Sequence, residues 1–266
     1  MTMPDGATLL TREWLPLEAP WLRLVLAHGA AEHSGRYERA GQQFADAGIA
    51  VRAYDHRGHG GSSGRRGDAE RWTDLTGDVG RMVADVRTAG DGVPVALMGH
   101  SMGGLIVLDA VLSGAAEPDL LVLSTPAIGD ALPRWQHVVA PLIARVRPTM
   151  TIANAWDGAA LSRDPGVASA VTADPIHLEG ATVRLAAGGF GAQDRVNARL
   201  GELEIPTLVT HGSDDPLVPP RTSEPLADIP GVTRVTYPGL RHETLFEPEG
   251  PQVTADIIAW LHEQAT

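Results

Sequence analysis

Short apolar runs and longer amphipathic stretches alternate along most of the chain. Apolar runs typical of β-strands cover residues 8–15, 21–27, 49–54, 93–98, 120–123, 206–210 and 232–237. Apolar positions at helical spacing occupy residues 37–47, 75–89, 105–112 and 253–262. Strands that alternate with helices predict a mostly parallel sheet flanked by helices, and the first two runs predict an antiparallel start.

This alternation lapses between Pro126 and Pro206. Residues 135–146 form a helical and strongly apolar stretch, and the prolines Pro148 and Pro165 break the pattern that follows it. We therefore expect a cap at residues 128–203, inserted into a core domain made of residues 1–127 and 204–266. A chain of 266 residues suits one core domain with one insertion.

Composition narrows the chemistry. The net charge of −12 repels phosphate backbones, so we do not expect nucleic acid as a partner. The chain has no cysteine, and all 21 of its basic residues are arginine, which excludes thiolate, Schiff-base and P-loop lysine chemistry. It shows neither a basic and apolar leader nor an apolar stretch of about 18 residues, so we expect a cytoplasmic protein.

One motif, Gly99-His100-Ser101-Met102-Gly103, follows a predicted strand and opens a predicted helix. A nucleophile elbow requires this context, because it is a tight strand-to-helix turn that presents a serine hydroxyl at the helix N-terminus. Glycines flank the serine since side chains there would collide with the neighbouring strand and helix. We therefore predict that Ser101 is a nucleophile. The alternative is an ordinary glycine-rich connection, and the partners of the serine decide between the two.

A nucleophilic serine needs a histidine to take its proton and an acid to orient that histidine. Such groups gather on loops at the carboxyl ends of the strands. The loop after residues 206–210 offers Asp214 and Asp215, which the pattern alone does not separate. The loop after the last predicted strand offers His242 as the base, in the chain order serine, acid, histidine.

Acyl transfer also needs N–H donors aimed at the oxyanion. The residue after the nucleophile, Met102, is expected to supply one of them. The loop after residues 21–27 begins with His28-Gly29-Ala30, and we expect the Ala30 N–H to supply the other.

Three segments in combination resemble the α/β-hydrolase family, in its monoacylglycerol lipase and lysophospholipase-like branch. They are residues 28–37 (HGAAEHSGRY), 55–60 (DHRGHG) and 99–104 (GHSMGG). Weaker similarities lie in the cap, at Leu161-Ser162-Arg163 and Asp174-Pro175. The resemblance implies the α/β-hydrolase fold, with a mostly parallel central sheet flanked by helices and a helical cap inserted after the sixth strand.

The resemblance also implies roles and a reaction. It selects Asp215 over Asp214 as the orienting acid, since the family's aspartate ends a Gly-x-x-Asp loop that here begins at Gly212. It implies a serine carboxylic-ester hydrolase that cleaves monoacylglycerols to glycerol and fatty acid through an acyl-enzyme on Ser101. It further implies an acyl tunnel beneath the cap, although residues 135–144 would also suit a helix packed on the cap's own core.

Other functions are alternatives at this stage. The same residues would serve a short-chain carboxylesterase, a lysophospholipase, an acyltransferase or an amidase, and a hydrolase fold can also be a catalytically silent binding protein. Asp55, His56 and His59 could suggest a metal site, but the hydrolase motifs account for them, so we expect neither a metal nor a cofactor. The expected partner is a small lipid ester, with at most transient contact with a lipid interface; no oligomeric state is implied.

Overall fold

A computed structural model describes residues 1–88, 92–154 and 158–265. Its strands are, in chain order, β1 (Thr11–Trp14), β2 (Leu22–Ala27), β3 (Ile49–Tyr54), β4 (Val95–His100), β5 (Leu120–Ser124), β6 (Thr151–Ala153), β7 (Gly180–Thr182), β8 (Thr207–Gly212) and β9 (Val232–Tyr237). Seven of these described strands form one sheet in the order β1-β3-β2-β4-β5-β8-β9. Only β1 runs antiparallel to its neighbour, so the predicted mostly parallel sheet is confirmed.

The described helices fall into two groups, four that pack on the two faces of this sheet and four that lie between β5 and β8 in the chain. They are α1 (Glu38–Asp46), α2 (Trp72–Thr88), α3 (Met102–Leu112), α4 (Arg134–Val146), α5 (Gly158–Leu161), α6 (Pro165–Ala173), α7 (Val183–Arg199) and α8 (Gly250–Ala265). One apolar core contains Phe44 of α1 and Ile257 of α8, and the other contains Val79 of α2 and Ile106 of α3. Strands β4 and β5 are buried along their whole length, which explains their continuous apolar runs.

Between β5 and β8 the chain leaves the sheet and forms α4 to α7 and the antiparallel pair β6–β7. This insertion is bound to the core at Asp68, which accepts hydrogen bonds from Thr182 Oγ1 at 2.7 Å and from the Arg184 guanidinium. The prediction that the insertion follows the sixth strand is wrong, because five described strands precede it. Near the N-terminus, Thr2 and Thr8 form an isolated antiparallel β-bridge, which is too short to count as a pair of strands. The boundaries 128–203 stay a prediction.

Several element ends differ from the predicted ones by a few residues. Strand β1 is shorter than expected because it pairs with β3 only from Thr11 to Trp14, after which Leu15 is exposed. Strand β4 continues to His100, and the expected end of α2 at Ala89 lies outside the described residues. Over the described ranges, no helix has both the length and the apolar character needed to cross a bilayer.

Candidate active site

Ser101 occupies the sharp turn between β4 and α3, at the carboxyl edge of the sheet. Its backbone has φ 52° and ψ −118°, a conformation that is strained for a residue with a side chain. The Ser101 N–H donates to the Ser124 carbonyl at 3.0 Å, and the Ser101 carbonyl accepts from Ala127 at 3.0 Å and Leu105 at 3.1 Å. These hydrogen bonds hold the strained turn and keep the hydroxyl at the start of the helix.

The glycines on either side of Ser101 are required by contact with backbone. A Cβ on Gly99 would collide with the Gly103 backbone, and a Cβ on Gly103 would collide with the carbonyl oxygens of Ala27 and His28. Strand, turn and helix therefore approach one another more closely than any other residue at these positions would allow.

The residues predicted to act together are in hydrogen-bond contact. His242 Nε2 lies 2.9 Å from Ser101 Oγ, and His242 Nδ1 lies 2.7 Å from Asp215 Oδ2. The second carboxylate oxygen of Asp215 accepts from the N–H groups of Leu217 at 2.9 Å and Val218 at 3.0 Å. The neighbouring Asp214 is exposed and accepts a hydrogen bond from a serine hydroxyl of its own loop. Asp215, and not Asp214, therefore contacts the imidazole.

Electrostatics favour one protonation pattern for this pair. Burial raises the pKa of Asp215, but the charge of His242 and the hydrogen bonds from His211, His242 and Val218 outweigh it, so the pKa lies well below its ordinary value. Burial lowers the pKa of His242, yet the charge and hydrogen bond of Asp215, together with the charges of Glu243 and Glu32, outweigh burial, so the pKa lies above its ordinary value. An ionised Asp215 accepts from Nδ1–H, which leaves Nε2 to accept a proton from Ser101.

The expected oxyanion donors, Ala30 and Met102, both line the cavity that contains Ser101. Met102 is the first residue of α3, where an N–H has no acceptor within the helix. The loop of Ala30 approaches the nucleophile closely, since a Cβ on Gly29 would lie 3.2 Å from the Ser101 Cβ. The next residue, Ala31, has φ 66° and its carbonyl accepts from Leu178 of the insertion at 2.8 Å, which fixes the loop.

His100 and Thr125 form a chain of hydrogen bonds that ends on the backbone carbonyl of His242. The Thr125 hydroxyl donates to the carbonyl of His242 at 2.9 Å, so it accepts from His100 Nδ1–H at 3.0 Å. Burial and the nearby His242 lower the pKa of His100 to about 4. His100 is therefore neutral, and together with Thr125 it holds the backbone of the proposed base. The sequence offers a signal for His100, which lies in the elbow motif, but none for Thr125.

A cavity of about 640 Å³ opens above Ser101 and contains His242. Its walls are largely apolar and come from the insertion, chiefly from Trp135, Val139, Ile143, Val183, Leu185 and Phe190. Helix α4 thus has one apolar face toward the cavity. A second row on the same helix, Trp135, Val138, Leu142 and Val146, is exposed at spacings of three and four residues, and Trp135 belongs to both faces. The helix is not simply packed on the insertion's own core.

Sequence reasoning missed a buried ion cluster beside His242. Arg36 contacts both Glu32 and Glu243, and these two acidic residues line the cavity. Glu32 and Arg36 belong to the quoted loop motif, and Glu243 directly follows His242, so proximity to the predicted residues was the available signal.

The segment that could suggest a metal site has a different environment. Asp55 Oδ1 accepts from the Ser34 N–H at 2.8 Å and hydroxyl at 2.6 Å, and Oδ2 accepts from Gly61 N–H at 2.8 Å. Asp55 therefore joins two loops near the site. In the part of the chain that the structure describes, no group of three or more His, Cys, Asp or Glu side chains is placed to hold a metal ion.

Comparisons with known proteins agree with this architecture. The family model described as serine aminopeptidase, S33, matches residues 19–249. The monoacylglycerol lipase of Mycolicibacterium smegmatis is 35% identical over 262 residues, which cover 96% of this chain and 93% of that protein. The crystal structure of Paleococcus ferrophilus monoacylglycerol lipase matches with a TM-score of 0.88 at 26% identity, covering 97% of this chain and 99% of the other. A soluble variant of the Saccharomyces cerevisiae monoglyceride lipase, in complex with a substrate analogue, matches with a TM-score of 0.86 at 25% identity and covers 98% and 93%.

Proposed function

Since the chain belongs to the α/β-hydrolase family described as serine aminopeptidase, S33, we propose that it hydrolyses monoacylglycerols with Ser101 as the nucleophile. The protein is a serine hydrolase of the lipase and esterase class, as its relatives are. The contact of Ser101 with His242, and of His242 with Asp215, on the floor of an apolar cavity is the observation that carries the proposal.

The contacts of His242 with Ser101 and Asp215 support the following reaction. His242 Nε2 takes the proton of Ser101 Oγ, which attacks the ester carbonyl, while Asp215 stays ionised and orients the imidazole. The N–H groups of Ala30 and Met102 stabilise the oxyanion. His242 then protonates the departing glycerol oxygen, and the acyl group stays on Ser101. Water, activated by His242, attacks the acyl-enzyme and releases the fatty acid.

The dimensions and lining of the cavity support a single-chain lipid ester as substrate. A cavity of about 640 Å³, whose insertion side is lined largely by α4 and α7, suits one acyl chain with a small head group. The same cavity is also lined by the polar residues Glu32 and His177, and the Nδ1 of His177 is buried without a hydrogen-bond partner among the described residues. An apolar cavity that contains the nucleophile together with a few polar groups suits a fatty acyl ester of glycerol.

The exposed apolar face of α4 supports transient contact with a lipid interface as part of the same proposal. Its residues Val138 and Val146 are 65% and 81% exposed, while Val139 and Ile143 on the other side line the cavity. A substrate that leaves a lipid surface could pass from one apolar face to the other. We propose a cytoplasmic enzyme that meets such surfaces only briefly.

Covalent labelling tests the nucleophile. Wild-type protein should gain the mass of one fluorophosphonate adduct on Ser101 and should hydrolyse a p-nitrophenyl ester. Ser101→Ala should lose the adduct and at least about 1,000-fold of the turnover, because the acyl-enzyme cannot form. Ser113→Ala is the matched control, since Ser113 caps the opposite end of α3 and its hydroxyl donates to the carbonyls of Asp109 and Ala110 in that helix.

The outcomes separate the candidate functions. Labelling and turnover that are lost in Ser101→Ala and kept in Ser113→Ala support a serine esterase. A wild-type protein that neither gains the adduct nor cleaves any ester would indicate a silent binding protein. Labelling at a different serine would refute the assignment of Ser101.

A further inference from the structure

Arg36 contacts two acidic side chains that come from separate loops. Its side chain is 10% exposed, and those of Glu32 and Glu243 are 2% and 4% exposed. Nη1 and Nη2 of Arg36 donate to the two carboxylate oxygens of Glu243 at 2.5 and 2.7 Å, and Nη1 also donates to Glu32 Oε2 at 2.7 Å. A buried guanidinium that forks onto a carboxylate is held in one orientation, which a lysine would not reproduce.

Each carboxylate is attached to one half of the proposed active site. Glu243 directly follows His242, and its N–H donates to the Leu161 carbonyl at 2.8 Å. The other carboxylate oxygen of Glu32, Oε1, accepts from Gly29 N–H at 2.5 Å, and Gly29 directly precedes Ala30. Arg36 therefore links the loop of the base to the oxyanion loop through the carboxylates of Glu243 and Glu32.

Two further contacts hold the cluster in place. The Arg36 guanidinium carbon lies 4.5 Å from the ring centre of Phe246, three residues after Glu243. Tyr37 donates its hydroxyl to Glu32 Oε1 at 2.7 Å. Both loops are thus fixed to the short helical turn Ser34–Tyr37 that carries Arg36.

We propose that Arg36 is a positioning residue that sets the placement of His242 relative to the Ala30 N–H by holding Glu243 and Glu32 in one ion cluster. The proposal rests on the proposed function, in which His242 and the Ala30 N–H act on the same ester group. A displacement of about 1 Å between such groups costs on the order of 100-fold in rate. Arg36 acts on the reaction through its two carboxylate partners.

The cluster also sets the charge around the imidazole. The titratable and charged groups near His242 are Asp215 from the loop after β8, His100 from the elbow, Glu32 and Arg36 from the segment after β2, and Glu243 on its own loop. Negative neighbours stabilise the protonated imidazole, and Arg36 offsets two of them. At a pH at which both carboxylates are ionised, loss of the Arg36 charge therefore raises the pKa of His242, and loss of the Glu243 charge lowers it.

The experiment compares Arg36→Met and Glu243→Gln with wild type. We expect kcat on a soluble p-nitrophenyl ester to fall about 10- to 100-fold in each variant, with KM changed far less. The pKa of His242, followed by NMR of its imidazole, should rise by about 0.5 to 1 unit in Arg36→Met and fall by a similar amount in Glu243→Gln. Arg52→Met is the matched control. Arg52 lies on strand β3, away from the cavity, and also bridges two carboxylates, those of Glu13 and Asp85.

The two readouts separate positioning from folding and from the proposed function. Fluorophosphonate titration gives the fraction of folded active sites, so kcat is expressed per competent site. Glu243→Gln keeps the shape of the side chain and tests the proposal if Arg36→Met does not fold. The NMR measurement needs no substrate; failure of the wild type to cleave esters would count against the proposed function alone. An unchanged pKa of His242 in both variants, or a loss confined to KM, would overturn the role of Arg36.

Discussion

The assignment of the proposed triad depends on which carboxylate contacts the imidazole of His242. Two aspartates are adjacent in the same loop, so the positions of their individual side chains decide it. Asp215 is buried, accepts two backbone N–H groups and lies 2.7 Å from His242 Nδ1. Asp214 belongs to the same loop but faces solvent. The chain thus contains its own control for the role of the acid.

Asp215→Asn should lower kcat by about 10,000-fold, because an amide no longer holds the imidazole in the required tautomer. Asp214→Asn should change kcat by less than about twofold, since it alters an exposed side chain. Steady-state kinetics on a soluble ester measure both. Equal losses in the two variants would show that the loop as a whole, and not the Asp215 contact, supports the base.

The pH dependence follows from the raised pKa of His242. The imidazole must be neutral to accept the serine proton, so kcat/KM should rise as the pH increases through a pKa above the ordinary value of 6.5. Asp215→Asn removes the negative charge that raises this pKa, so the acid limb of its residual activity should move to lower pH. An acid limb in the wild type centred below 6.5 would contradict this assignment.

Residues that follow a strand were predictable, and residues that act through others were not. Ser101, Asp215 and His242 each lie just beyond a strand, and their chain order added a second constraint. The choice of Asp215 over Asp214 came from the family resemblance, because the periodicity of apolar residues does not show which way the side chains of a loop point. Arg36 and Glu243 lie 207 residues apart in sequence, so their contact follows only from the fold.

At the scale of elements, the turn between β4 and α3 is built around close backbone contact. Gly103 lies in the first turn of α3, where a Cβ would meet the carbonyl oxygens of Ala27 and His28 on β2 and its loop. A side chain there would push the helix away from the sheet and move Ser101 with it. The glycine is therefore a requirement of packing as much as of catalysis.

Gly103→Ala should destabilise the protein by about 1–3 kcal/mol and reduce turnover, since overpacking displaces backbone. Gly77→Ala is the control, because Gly77 lies in α2 and is exposed. A Cβ added at Gly77 would have no neighbouring atom within 4 Å beyond its own helix turn and chain neighbours. That substitution should stabilise the protein by about 0.5–1 kcal/mol. Thermal unfolding of both variants checks the pair. If Gly103→Ala unfolds at the wild-type temperature with full turnover, the described contacts do not constrain the elbow.

The strands and helices of the core were predicted from the spacing of apolar residues, because each strand or helix buries a continuous or one-sided apolar surface. The strand at residues 232–237 was predicted with its observed ends, and the family and fold are confirmed. The pair β6–β7 was not predicted, since Thr151–Ala153 is exposed along its length and is short. Its pairing with Gly180–Thr182 depends on the approach of Gly180 to Ile152, which no local pattern reveals.

At the scale of the whole molecule, the net charge and the exposed face of α4 act in opposite directions at a lipid surface. The chain carries a net charge of −12, which anionic headgroups repel. The exposed Trp135, Val138, Leu142 and Val146 offer apolar surface to any bilayer. The balance predicts weak binding that depends on lipid charge and on salt.

The protein should bind neutral phosphatidylcholine vesicles more strongly than vesicles that contain phosphatidylserine. Added salt should narrow the difference, because it screens the repulsion between the protein and the anionic surface. Co-sedimentation with the two kinds of vesicle measures this, and Val138→Ser combined with Leu142→Ser should weaken binding to both. Binding to anionic vesicles that is equal to neutral binding and insensitive to salt would show that charge does not govern the contact.

The most direct test of the central claim is a series of initial hydrolysis rates on monoacylglycerols of graded chain length, a triacylglycerol and a short p-nitrophenyl ester, with Ser101→Ala as the control. A cavity of about 640 Å³ lined by α4 and α7 predicts a preference for medium or long monoacylglycerols over the triacylglycerol, with all activity lost in Ser101→Ala. Activity on the short ester alone would contradict the monoacylglycerol assignment and leave a general carboxylesterase. Turnover that survives in Ser101→Ala would contradict the account of the nucleophile itself.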